Sequence, residues 1–276
     1  MRQIPIGLDH LVVEINGRYI FRMPAKNPER QEREIAVIAM LRRKGISIVP
    51  SISFVGRRAR YFGYERIDGV TLSEHEAGLI PPANRRRLAA QIAGFLVQLH
   101  SEITLAQGHE WGIPEYDLKR FDQIMPTIAE KFSEDQTLVS FARRAVLNCS
   151  AIGKDISLRR VLHWDLHNGN LILDPVDYSL RGVIDFDEVI ICDAHAEFRS
   201  LYRFNPALAH ETINVYNELT GLQLSFETAR QYAWLVRFAD LAEAARENGR
   251  VHRAALRRLR GWVEREMHGG AGETTD

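Results

Sequence analysis

Between Val161 and Asp187 three short apolar runs, each too brief for a helix, alternate with clusters of polar residues. Val161-Leu162-His163, Asn170-Leu171-Ile172-Leu173 and Arg181-Gly182-Val183-Ile184-Asp185 read as small strands bounded by turn residues. The segment His163-Trp164-Asp165-Leu166-His167-Asn168-Gly169-Asn170 forms a loop between the first and second runs, and a hairpin returns the chain through the third. Such a return sets Asp185 beside Asn170, although fifteen positions separate them. The polar residues then share one end of the insert, which is how a chemical site is assembled from a local fold.

The flanks differ from each other in texture. Before residue 68 the pattern is β-rich: Leu11–Ile15 and Arg18–Met23 are split by Asn16-Gly17, the dipeptide best suited to a two-residue hairpin turn. Asn27 and Pro28 then predict the start of a helix with Ile35, Ile38 and Leu41 as its apolar stripe, and Arg42, Arg43, Lys44 and Gly45 its end. Ile46–Val55 and Ala59–Ile67 read as two further strands. After Asp68-Gly69 the period becomes helical. Ser73-Glu74-His75-Glu76 fits a capping box, and Leu88, Ile92, Phe95, Leu96 and Leu99 recur along one face. Helices are expected over 118–132 and 135–149, and again across 194–267. Strands followed by helices predict an α+β protein of two lobes, residues 1–67 and 68–276, facing each other across a cleft.

Bulk composition narrows the functions available. Lysine plus arginine equals aspartate plus glutamate at 36 each, so no net field favours nucleic acid or an anionic membrane surface. Cys149 and Cys192 form no metal-type spacing, and no apolar run approaches the roughly 20 residues that span a bilayer. The N-terminal residues lack an apolar signal core, so the expectation is a soluble, unexported protein. The two scattered cysteines fit a reducing, cytoplasmic setting. No nucleic-acid or membrane partner is expected, and the chain is expected to act as a monomer or homodimer.

Phosphoryl transfer needs a carboxylate to accept a hydroxyl proton and oxygen ligands to hold magnesium against nucleotide phosphates. Asp165, Asn170 and Asp185 can supply these. His163-x-Asp165-x-x-x-x-Asn170 followed by Ile184-Asp185-Phe186 resembles the catalytic and metal loops of protein-kinase-like enzymes. Asp165-Leu166-His167-Asn168-Gly169-Asn170 resembles more narrowly the version of the aminoglycoside phosphotransferase family and related antibiotic or choline kinases, and the overall pattern of the chain is most similar to the 2″-phosphotransferases. The resemblance implies the two-lobed protein-kinase-like fold, with a small β-rich nucleotide lobe and a larger helical lobe. It implies Asp165 as catalytic base, His163 as a brace for the loop, Asn170 and Asp185 as magnesium ligands, and ATP or GTP as phosphoryl donor. It further implies that Arg22 reaches the nucleotide phosphates with Glu34 as its acidic partner. Tyr64-Glu65-Arg66-Ile67 is then the hinge whose backbone binds the nucleobase, and the acceptor is a small molecule, an aminoglycoside first, with a choline-, sugar- or amino-acid-like hydroxyl compound as the alternative.

The chain departs from the family pattern at four places. Arg22 stands in a lysine slot, in a chain with five lysines against thirty-one arginines. Asp187 follows where glycine is common, and is either a further metal ligand or a solvated acid. Trp164 replaces a small residue, and the phosphate-covering segment Gly7-Leu8-Asp9-His10 is expected to be short. Glu188, Asp193 and Glu197 form a candidate acidic wall for a polyamine acceptor, with a helix cap as the other reading of Asp193. Arg22 with Glu34 also reads as an ordinary surface ion pair. His163, Asp165 and His167 alternate in a way that suits a metal-dependent hydrolase, and a nucleotide-binding protein without catalysis is a third reading.

Overall fold

A computed structural model describes residues 2–4, 10–24, 28–57, 61–147, 149, 152–248 and 253–269. The Gly7–Asp9 part of the expected phosphate-covering segment and the expected Asn27 cap lie outside them. The chain divides into two compact units, one of Met1–Tyr116 with Asp155–Ala229, the other of Asp117–Lys154 with Arg230–Asp276. The expected boundary at residue 67 falls inside the first unit.

The first unit opens on an antiparallel sheet of order β1-β2-β3-β5-β4: Arg2–Ile4, His10–Ile15, Tyr19–Pro24, Phe62–Glu65 and Ile52–Val55. At the β2–β3 turn Asn16 (φ 54°) and Gly17 (φ 64°) are both left-handed, and Arg18 N–H closes on the Ile15 carbonyl at 3.1 Å. Helix α1, Pro28–Arg43, buries Gln31, Glu34, Val37, Ile38 and Leu41, while Ile35 is only half-buried. The buried stripe is thus rotated from the apolar one and carries a glutamate.

The run Ile46–Val55 is a strand only from Ile52. Gly45 (φ 82°) folds the chain back on α1, where Ile46 N–H bonds the Leu41 carbonyl at 3.1 Å and Arg42 Nη1 bonds the Ser47 carbonyl at 2.8 Å. Ile46 and Val49 are buried there as turn residues. The second run, 59–67, is strand over Phe62–Glu65.

Beyond the sheet, α2 (Glu74–Gly78) begins at the expected capping box, with Ser73 Oγ accepting from Glu76 N–H at 3.2 Å. Helix α3, Pro82–Glu102, buries Leu88, Ile92, Phe95, Leu96 and Leu99 and packs against α8, Pro206–Thr220. The short helices α4 (Leu105–Glu110) and α7 (Arg199–Phe204) complete this part. Strands β6 (Arg159–Leu162) and β9 (Ile190–Asp193) pair with each other, and β7 (Leu171–Leu173) pairs with β8 (Leu180–Val183) as the expected hairpin. Gly69, at φ 151°, lets the segment after β5 bond Leu173, because a side chain there would meet the Leu173 carbonyl at 2.6 Å.

The second unit is helical: α5 (Ile124–Lys131), α6 (Gln136–Val146), α9 (Phe226–Asn248) from residue 230 onward, and α10 (Arg253–Gly269). Phe141 is its centre, 5.0 Å from Trp234 and 5.9 Å from Trp262 between ring centroids. The helix expected over 118–132 opens instead as a 3-10 turn, Leu118–Gln123, and restarts at Ile124. Pro126 fits only the first turn of a helix, which sets that restart.

Candidate active site

Strand β6 delivers the loop 163–170, and the β7–β8 hairpin delivers Asp185 to its side: Ile184 N–H bonds the Asn170 carbonyl at 3.0 Å. Asn170 Nδ2 in turn donates to the Asp165 carbonyl at 2.8 Å and to Asp165 Oδ2 at 3.2 Å. His163 is fully buried, with Nε2 3.0 Å from the Ile184 carbonyl and its ring 4.6 Å from that of Phe186, so it ties the two loops together from beneath. His167 Nε2 lies 3.3 Å from Asp165 Oδ2. Burial raises the Asp165 carboxyl, but His167 and the charges of His163 and Arg199 outweigh it and leave the group below its ordinary value.

Trp164 and Asp185 both have φ of 70°, a left-handed conformation that a bulky residue adopts only when its surroundings enforce it. For Trp164 the enforcement is visible. Glu197 accepts from the His163 and Trp164 N–H groups at 2.7 and 3.2 Å, and Arg199 donates to the Trp164 carbonyl. The Arg199 guanidinium also lies over the Trp164 ring at 3.8 Å, with the Tyr116 ring 4.7 Å away. Trp164 is therefore a wall of the loop, buried to 7% exposure.

Arg22, on β3, is 4% exposed, so the surface-pair reading does not apply. It pairs with Asp185, and its Nη2 lies 3.6 Å from Glu34 Oε2. Glu34 also accepts from Phe186 N–H at 3.2 Å, so the buried glutamate of α1 grips both Arg22 and the segment that follows β8. Burial raises the Asp185 carboxyl; Arg22 opposes that rise and neighbouring Asp187 adds to it, leaving the pKa above its ordinary value. Asp187 is buried, not solvated.

The residues expected to form the hinge divide. Tyr64 is buried, and burial pushes its phenol well above the usual range beside Arg22, Glu34 and Asp185. Glu65 pairs with Arg18 at 2.7 Å. Arg66 N–H is taken by the Arg18 carbonyl at 2.7 Å, and its side chain by Asp68 at 3.0 Å. Ile67 is half-buried against Gly182.

The expected acidic wall is not assembled. Glu197 is fully buried, holding the 163–170 loop and lying 3.2 Å from His100 Nε2. Asp193 is 5% exposed and caps the 3-10 turn Ala194–Phe198 through His195 N–H at 2.8 Å, the cap alternative. Glu188 alone stays half-exposed, and it pairs with Arg30 of α1 at 2.5 Å. The hydrolase reading also fails to converge: His163 is turned under the loop, and among the described residues no three His, Cys, Asp or Glu side chains could hold a metal ion. The sequence reading missed His100, Tyr216 and Arg199. A histidine ending the apolar face of α3 was a signal for the first, whereas Arg199 is one of thirty-one arginines and carried none.

A sequence model described as APH, phosphotransferase enzyme family, matches residues 1–224. Among curated proteins no sequence matches. The chain is similar in structure to the GDP complex of wild-type aminoglycoside 2'-phosphotransferase-IIIa, at 17% identity and TM-score 0.77, over 97% of this chain and 92% of that one. It is similar also to the streptomycin–ATP ternary complex of APH(2")-IIa (19%, 0.67, 90% and 88%) and to macrolide 2'-phosphotransferase type I (17%, 0.64, 95% and 90%). These likenesses show the kinase-like fold, an antiparallel N-terminal sheet followed by a mostly helical part. No helix among the described residues is long and apolar enough to cross a membrane.

Proposed function

This chain belongs to the phosphotransferase enzyme family, and from that premise we propose that it moves the γ-phosphoryl group of ATP or GTP, with magnesium, to a hydroxyl of a small molecule. The observation that carries the reading is the meeting of Asp165, Asn170 and Asp185 from two loops, with Arg22 and Glu34 behind them. In the transfer the acceptor hydroxyl gives its proton to Asp165 and its oxygen bonds the γ-phosphorus. The bond from that phosphorus to the bridging oxygen breaks, releasing the nucleoside diphosphate. His163 and Glu197 keep Asp165 in place; Arg22 faces phosphate charge; the backbone of Glu65 and Ile67 serves the nucleobase.

Asn170, Asp185 and Asp187 fit magnesium, being hard oxygen donors. The repulsion between the two carboxylates is of the kind a dication relieves. Bound there, magnesium would offset charge on the phosphates.

Aminoglycosides are the first acceptor class to test, since proteins of this fold have been captured with kanamycin and streptomycin. Turnover of an aminoglycoside would make antibiotic resistance a consequence of the activity. Burial of Asp193 and Glu197 favours a second reading, a neutral or zwitterionic hydroxyl acceptor, because a polycation calls for more free carboxylate than Glu188 provides. Labelled nucleotide with magnesium, crossed with aminoglycosides, macrolides, sugars and amino alcohols, decides between them. A broad panel in which no acceptor yields product would sink the kinase reading, and product only with uncharged acceptors would sink the aminoglycoside one.

A further inference from the structure

His167 belongs to no role assigned so far, yet its ring is held on both sides. Nδ1 accepts from Gly169 N–H at 2.8 Å. A nitrogen that accepts carries no proton, so in the neutral ring the proton sits on Nε2. That is the nitrogen lying 3.3 Å from Asp165 Oδ2. Asn170 Nδ2 reaches the same oxygen at 3.2 Å. Two nitrogens thus approach Oδ2 from opposite ends of one short loop, the Asn170 amide as a hydrogen-bond donor and His167 Nε2 at ion-pair distance. The packing that permits it is specific to residue 169: a Cβ there would stand 2.7 Å from His167 Cε1 and 3.1 Å from Nδ1. Only glycine leaves room for the ring to lie back over its own loop.

We propose that His167 is a positioning residue: Gly169 sets its tautomer, and its Nε2–H, together with Asn170, holds Asp165 Oδ2 so that Oδ1 faces the acceptor hydroxyl. This rests on the reading of Asp165 as the base. A carboxylate with both oxygens unrestrained would rotate about its terminal bond and present either oxygen in varying directions. Pinning one oxygen aims the other, and misaiming a reacting group by an ångström costs about a hundredfold in rate.

The test uses the full chain with magnesium and γ-labelled GTP or ATP, reading phosphate release to water, which needs no knowledge of the acceptor. His167→Ala is expected to lower kcat about tenfold or more with the nucleotide KM unchanged. His167→Gln, whose amide N–H can stand where Nε2–H stood, should recover part of the loss. Gly169→Ala keeps the imidazole but displaces it, and should behave like His167→Ala while unfolding at the wild-type temperature. Nitrogen-15 NMR of the histidines, assigned with His167→Ala, should find His167 protonated at Nε2, with that resonance moving in Asp165→Asn. A proton on Nδ1, a resonance indifferent to Asp165→Asn, or wild-type kcat in His167→Ala would each overturn the proposal. Wild-type release in Asp165→Ala would instead overturn the base on which it rests, and the tautomer would stand as a separate result.

Discussion

Asp165 shows how a residue's setting bears on what its removal does. It is partly exposed, packs no core, and is approached by His167 and Asn170 only through polar atoms. Asp165→Ala should therefore fold normally and bind nucleotide, while transfer falls roughly 10²- to 10⁴-fold, the range for a positioned base. Wild-type turnover in that variant would remove Asp165 from the mechanism. Arg22 is the opposite case, buried between Asp185 and Glu34. Arg22→Met would leave the buried Glu34 and the part-buried Asp185 without their cation and should cost about 3–5 kcal/mol. Arg22→Lys keeps the charge but loses the fork, so it should unfold between the two and weaken magnesium–nucleotide binding. Urea unfolding of the three proteins ranks them, and a lysine variant no better than methionine would show that geometry, not charge, is what the site uses.

At the scale of elements, the 163–170 loop hangs from helix α3 and the turn before α7. His100 ends α3 with Nε2 3.2 Å from Glu197 and Nδ1 2.8 Å from the Tyr216 hydroxyl of α8, so three elements meet below the loop. Burial raises the Glu197 carboxyl, but the bond to His100, nearby His163 and the loop amide outweigh it and hold its pKa below the ordinary value. A carboxyl depressed on folding stabilises the protein above its unfolded pKa, about 4.3, and loses that contribution as pH falls through the folded value. His100→Leu removes the partner and should cost about 3 kcal/mol near pH 7. The gap from wild type should narrow as pH falls through the lowered folded-state pKa of Glu197, where the wild-type carboxyl takes up its proton. Chemical denaturation across roughly pH 3–7 measures it; a gap independent of pH would mean that His100 acts by packing alone.

For the whole molecule, the prediction concerns ligand linkage. Magnesium with GTP or ATP at a hundred times its dissociation constant adds about 2.7 kcal/mol to the state that binds it. For a chain of this length that raises the melting temperature by roughly 5–10 °C. Asp185→Asn should lose the magnesium-dependent part of the shift and keep a smaller nucleotide part. A full shift in that variant would make Asp187 the principal ligand. Because the chain forms two compact units, two transitions can separate on heating, and the nucleotide shift belongs to the one containing residues 1–116 and 155–229.

The sequence by itself determined the parts whose causes are local. Asn16-Gly17 dictates a left-handed turn, Ser73-x-x-Glu76 a cap, the 3.6 period of Leu88–Leu99 a buried helix face, and three short apolar runs a loop and hairpin that set Asp185 beside Asn170. The kinase-like fold and the central constellation were legible for that reason. Tertiary structure alone decided what depends on partners far along the chain. Glu188, Asp193 and Glu197 are three acids within ten positions, alike on paper. One half-exposed side chain meets Arg30, one caps a turn, and one sinks beneath the loop to meet His100, ninety-seven residues earlier. Ile46–Val55 has strand composition but becomes a turn where Gly45 folds it back onto α1. A carboxylate's role follows from whether water or a donor satisfies it, and only the folded chain brings the donor.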